Sequence, residues 1–178
     1  VDPTTVLPSQ ILTPNVGVLQ VFRVAEANDY ERYVKLRNAS LYRKFGYKMP
    51  PFFIVDSHDA ISAVLAGKLL PEMERDLQEM VKRPLILRTD GLNIPKEKRE
   101  MLPRSDRLST LAEASDWILK YFRAEITKLD LITKDICIIA HHFIPSVASA
   151  WARAEPGRRF VRIESLWGIP EGLYWYSH

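Results

Sequence analysis

Apolar and polar positions along the chain change period several times, and each change predicts a new element. After Asp29, which can cap a helix, Tyr33, Val34, Leu41 and Tyr42 fall near one face, and Gly46 supplies a stop. Pro50-Pro51 forces extended backbone into a short buried strand, Phe52-Phe53-Ile54-Val55. Ser57 to Asp59 offer caps for a helix that ends at Gly67. Pro71 opens another helix with Met73, Leu77, Met80 and Val81 turned inward, which delivers the chain to the strand Leu85-Ile86-Leu87-Arg88. Residues 91 to 108 carry Pro95, Pro103 and many charges without periodicity, the pattern of a long mobile loop. Helical spacing returns from Ser109 with Leu111, Ala114, Trp117, Ile118, Tyr121 and Phe122. Asp135 to Ile144 reads as a central strand. A hairpin follows: Val147 to Arg153, a turn at Glu155-Pro156-Gly157, then Phe160 to Ser165. The succession predicts an α+β lobe with a mixed or antiparallel sheet and packed helices.

Composition narrows the class of protein. The chain has 178 residues, enough for one domain or one lobe of a larger one, and its 47% apolar and 26% charged content is that of an ordinary globular sequence. No apolar run approaches the roughly 20 residues that span a bilayer, and Val1-Asp2-Pro3-Thr4-Thr5 begins no export signal, so a cytoplasmic protein is expected. The lone Cys137, between Ile136 and Ile138, reads as a small buried core residue in a reducing compartment. The net charge of +3 is spread thinly: residues 1 to 90 hold 12 basic against 11 acidic side chains, and residues 91 to 178 hold 13 against 11. Nucleic acid is therefore not the expected partner. The one cluster, Arg153, Arg158, Arg159 and Arg162 against Glu155, brackets a turn. It reads as a solvated hairpin face, with a basic nucleic-acid module as a third functional reading.

A few residues carry chemistry on their own. Arg88 ends a strand as apolar as Leu85-Ile86-Leu87, so its guanidinium must reach solvent, a carboxylate or a ligand. His141 and His142 are adjacent on a strand and point to opposite faces, which prevents them from sharing a ligand easily. Lys35 alone is a helix lysine, and only its company gives it a role.

That company is three separated blocks: Lys35 to Pro51 (KLRNASLYRKFGYKMPP), Pro84 to Gly91 (PLILRTDG) and Ile163 to Gly172 (IESLWGIPEG). Together they resemble the nucleotide-binding domain shared by phosphoenolpyruvate synthase, pyruvate phosphate dikinase and rifampicin phosphotransferase, of the ATP-grasp group. The family's first block reads G-G-K-x-A-N-L, then, eleven residues past the lysine, a glycine followed by x-x-(V/I)-P-P-G-F. Here Lys35, Asn38, Leu41, Gly46 and Met49-Pro50-Pro51-Phe52-Phe53 hold that register. Ile86-Leu87-Arg88-Thr89-Asp90-Gly91 stands where the family has (A/V)-V-R-S-S-A, and Ile163-Glu164-Ser165-Leu166-Trp167-Gly168-Ile169-Pro170-Glu171 where it has I-E-x-x-W-G-L-G-E. Ile138-Ile139-Ala140-His141-His142-Phe143-Ile144 is similar to the family's V-V-V-Q-x-M-V strand.

The resemblance covers about residues 20 to 175. It implies a leader segment over 1–20 and a partial ATP-binding domain over 21–178. By the same likeness Lys35 and Arg88 would hold phosphates, with Thr89 keeping a hydroxyl beside them. His141, Phe143 and Ile144 would border adenine, and Glu171 would lie in the Gly168 loop. The residues 91–108 would cover the triphosphate. The implied ligands are ATP and Mg²⁺, with the carboxylates that hold the metal, a Gln-x-Arg strand and the phosphohistidine domain expected outside this chain, as further parts of a longer parent. The implied function is the ATP-binding lobe of a dikinase-like phosphotransferase, incomplete for catalysis alone.

Three departures point to an alternative, a degenerate ATP-grasp-like domain with a non-catalytic interaction or regulatory role. Tyr33-Val34 replaces the glycines before Lys35, Asp90 puts a negative charge where the family has a small neutral residue, and Pro170 replaces a glycine.

Overall fold

A computed structural model describes residues 18–46, 49–131, 133–168 and 170. It divides into two compact units, residues 1–143 and 144–178. The fold is α+β, and among the described residues every strand pairing is antiparallel.

The first unit is built on a four-stranded sheet. Its strands are β1 (Arg23–Val24), β2 (Phe53–Val55), β3 (Leu85–Gly91) and β4 (Ile136–His142), in the order β1-β2-β4-β3. β4 is central, as its continuous run Ile136-Cys137-Ile138-Ile139-Ala140 requires, since every one of these side chains is buried. Alternation then assigns the faces. Phe53, Val55, Leu85, Leu87, Ile136, Ile138 and Ala140 belong to the main core, while Ile54, Cys137 and Ile139 belong to a second, smaller one.

Two helical layers cover these faces. Helix α3 (His58–Leu65) starts at Ser57, whose hydroxyl accepts the Ala60 N–H, and α4 (Pro71–Met80) starts on its proline. Their Ile61, Val64, Met73, Leu77 and Met80 enter the main core as the 3.6-residue period predicts. A longer rod joins them. It begins at Thr110 with a complete capping box to Glu113 and runs through α6 (Leu111–Asp116), a π-helical turn over Trp117–Phe122 and α7 (Arg123–Leu129). The π turn adds a residue to the cycle and displaces the apolar stripe. Trp117, Ile118 and Phe122 are buried, whereas Tyr121, expected inward, is half exposed.

The second face is covered by α1 (Ala27–Arg32) and α2 (Val34–Lys44), and here the expected helix is corrected. The cap is Glu26, with Asp29 three residues on completing the box and also holding Arg23 at 2.6 and 2.9 Å. The backbone leaves the helical region at Tyr33, so two helices replace one. The inward positions become Tyr33, Leu36 and Ala39, and Leu41 and Tyr42 are turned to solvent. A single 3.6-residue register drawn across the break keeps Tyr33 on the buried side but misplaces Leu41 and Tyr42.

The stretch 91–108 is also corrected, because it is tied down. It contains α5 (Lys96–Glu100) and then runs back along the free edge of β3. Thr89 N–H donates to Pro103 O at 3.1 Å, Ser105 N–H to Leu87 O at 2.8 Å, and Leu85 and Leu108 exchange both bonds at 2.7 and 2.9 Å. Hydrogen bonding by an unpaired edge, which leaves no apolar periodicity, supplied the order here.

The second unit is the expected hairpin, β5 (Ala148–Ala154) with β6 (Val161–Trp167), Arg153 standing opposite Arg162 and Trp151 opposite Glu164. Glu155 takes Arg158 at 2.7 Å and Arg153 at 3.8 Å, and the arginines are exposed, as expected of a solvated face. Among the described residues no helix is long and apolar enough to cross a membrane.

Candidate functional site

The β3–β4 register places Arg88 opposite Ile139, Asp90 opposite Cys137 and Ile86 opposite His141. Because side chains alternate along a strand, Arg88, Asp90 and His141 share one face, the one that α1 and α2 cover. The start of α2 lies against β3. Lys35 donates its backbone N–H to Asp90 Oδ2 at 2.7 Å, and its ammonium donates to the carbonyl oxygen of Thr89. The other Asp90 oxygen accepts the Gly91 N–H at 2.9 Å. A carboxylate from the sheet thus satisfies a first-turn donor of α2 that α2 itself leaves orphaned.

The electrostatics show who else is near. Burial holds the Lys35 ammonium below its ordinary pKa; Asp90 opposes that shift, and the positive charges of Arg88 and Arg99 add to it. Arg99 comes from α5. One terminal nitrogen of its guanidinium donates to Ile94 O at 2.8 Å, and its Nε is buried without a partner. Lys35 from α2 therefore stands against the β3 face that carries Arg88 and the fully buried Asp90, and the charge of Arg99 acts on Lys35 from α5.

His141 sits further along the same face, edge-on to Phe52 with ring centroids 5.5 Å apart. Its Nδ1 lies 3.0 Å from the carbonyl oxygen of His142, which can only accept, so Nδ1 carries the proton and Nε2 of the neutral ring is an acceptor. Burial, helped by Arg88, pushes its pKa from 6.5 to about 4. His142 faces the opposite way, into the main core beside Phe53, which bears out the expected divergence of the pair.

A depressed histidine pKa fixes a sign. Above pH 6.5 both folded and unfolded chains hold His141 neutral; below it the unfolded chain takes up the proton first. Stability should therefore fall between about pH 6.5 and pH 4, by up to about 3 kcal/mol from this group, with His142, also depressed, acting in the same direction. Urea titrations at a series of pH values check this, and His141→Gln should flatten the slope. Asp29, held low by Arg23, acts only further down, where its carboxylate protonates below the usual range.

The other expected site residues are placed as follows. Thr89 is on the opposite face from Arg88, its side chain fully buried toward the main core with the hydroxyl unpartnered; it meets Lys35 through its carbonyl alone. Phe143 spends its N–H on Pro84 O at 2.7 Å and lies under Arg107, whose guanidinium carbon is 5.5 Å from the ring centroid. Ile144 is exposed and belongs to the second unit. Glu171 lies outside the described residues. Trp167 is 85% exposed, and Gly168, at φ +88°, takes a left-handed conformation that glycine adopts freely. Sequence reasoning missed Arg99, whose only signal was its place in a charged stretch. Among the described residues there is no group of three or more His, Cys, Asp or Glu side chains that could hold a metal ion.

Compared with known proteins, the chain has no significant match to a family model, a curated protein or a solved structure.

Proposed function

We propose that the first unit is the nucleotide-binding lobe of an ATP-dependent phosphotransferase, ATP-grasp-like and incomplete for catalysis by itself. The observation that carries this reading is that the start of α2 lays Lys35 against the β3 face that carries Arg88. Cations brought together from separate elements repel one another, and a fold that holds them so stores a field that a polyphosphate would relieve. A guanidinium such as that of Arg88 can present two donors to phosphate oxygens, while Lys35 supports the field from beneath. His141 suits the other end of the ligand, since its Nε2 acceptor complements the exocyclic amine of adenine.

Titration of ATP by calorimetry into the full chain tests the reading. Arg88→Ala is expected to weaken binding by about 100-fold, in line with losing a bidentate charged contact. Equal affinity in the two proteins, or none in the unsubstituted chain, rejects it.

The second reading is a degenerate lobe that has exchanged nucleotide binding for an interaction or regulatory role. It is favoured by the buried Asp90 carboxylate, an anion already in place among the cations. Absence of ATP binding with the fold intact would select it.

A further inference from the structure

We infer that Asp90 is the residue that limits the affinity of the cation cluster for polyphosphate, acting as a permanent counter-anion behind it. The inference rests on the nucleotide-binding reading and goes beyond it by assigning a specificity role to a residue that reading counts as an obstacle. Asp90 is fully buried, so it cannot move into solvent when a ligand arrives. Its two oxygens are fixed by the N–H groups of Lys35 at 2.7 Å and Gly91 at 2.9 Å, one from α2 and one from its own strand. Arg88, by contrast, is partly exposed on the same face of β3, two residues away. A phosphate would therefore meet Arg88 from the solvent side, and the carboxylate would remain behind it, subtracting its charge from those of Arg88 and Lys35.

A buried charge is poorly screened, so its subtraction acts on every phosphate group that enters. The consequence is selection by charge. Orthophosphate would find too little field to be held, whereas a tripolyphosphate, with several charges to place, would still bind, at an affinity that allows release.

Inorganic tripolyphosphate is the probe, titrated by calorimetry into the full chain and into Asp90→Asn. Asparagine keeps an oxygen for the Lys35 N–H and removes the charge, so D90N is expected to bind tripolyphosphate about tenfold tighter than the unsubstituted protein. Asp90→Ser is carried alongside as a smaller neutral replacement, with thermal unfolding of both variants to establish that they fold. Asp116→Asn removes the same charge from the exposed surface of α6 and should leave the affinity unchanged. Unchanged, weaker or undetectable binding by folded D90N or D90S overturns the inference, as does an equal gain in Asp116→Asn. Failure of the nucleotide reading looks different: ATP would then bind no tighter than tripolyphosphate in any of these proteins, whatever Asp90 does.

Discussion

Gly91→Ala is expected to cost the protein more than about 4 kcal/mol, which is most of the stability of a domain near the lower end of the usual range of about 5–15 kcal/mol. Gly91 ends β3, opposite Ile136 at the start of β4. A Cβ built there would stand 2.3 Å from the carbonyl oxygen of Asp135 and 2.5 Å from Ile94 Cδ1. The isoleucine can rotate away. The carbonyl cannot, because it belongs to the backbone immediately before β4 and accepts the Leu92 N–H at 2.7 Å. Relief of the overlap thus requires the end of β3 to leave β4, which takes the fully buried Asp90 and its bond to Lys35 with it. Guanidinium unfolding monitored by far-UV dichroism measures the loss. A penalty under about 1 kcal/mol, the size of an ordinary surface change, would mean that the strand end slides freely and the packing argument is wrong.

The elements that could be read from the chain are those whose burial is written in a period. α4 is an example: Pro71 starts it, and Met73, Leu77 and Met80 recur on one side and are all buried. β4 is another, since five consecutive apolar residues fit only a strand covered on both faces. Where the period changes within a run, the reading failed. Tyr33 breaks the first helix in two and the π turn at Trp117 turns Tyr121 outward, and both are backbone events that leave the residue types helix-compatible. The segment 103–108 is ordered mainly by bonds between main-chain groups, to which side-chain identity gives no clue, with the Ser105 hydroxyl accepting the Leu87 N–H as the side-chain contribution.

The candidate site divides on the same line. Arg88 was conspicuous because a charge at the end of an apolar strand demands a reason. Alternation along β3 then explains why Thr89, its neighbour, faces the main core. Arg99 could not be found without the path of residues 91–108, because its charge acts on Lys35 only once α5 is in place. The role of Asp90 was visible as a charge but not as a partner of α2, since the contact joins residues 55 positions apart.

Asp76→Ala should lower stability by about 3 kcal/mol or more, and its effect should reach the candidate site although the residue lies on α4. The Asp76 carboxylate is buried and accepts the N–H groups of Gln20 at 3.0 Å, Val21 at 2.7 Å and Phe22 at 2.8 Å. Alanine would leave those donors without the acceptor that fixes them. The Phe22 N–H, in the core, would bear the largest share of the desolvation cost. From there the consequences run along the chain. Phe22 leads into β1, whose Arg23 grips Asp29 and Asp56; Asp29 completes the cap of α1, and α1 hands the chain through Tyr33 to α2 and Lys35. Loosening residues 20–22 should therefore speed amide exchange at the start of α2 more than in α3, which Ala60, Ile61 and Val64 hold in the main core. Asp76→Asn retains one acceptor oxygen and should lose roughly half as much. Hydrogen exchange that rises uniformly over the whole first unit, or only next to α4, would show that the anchor does not act on α2 through β1.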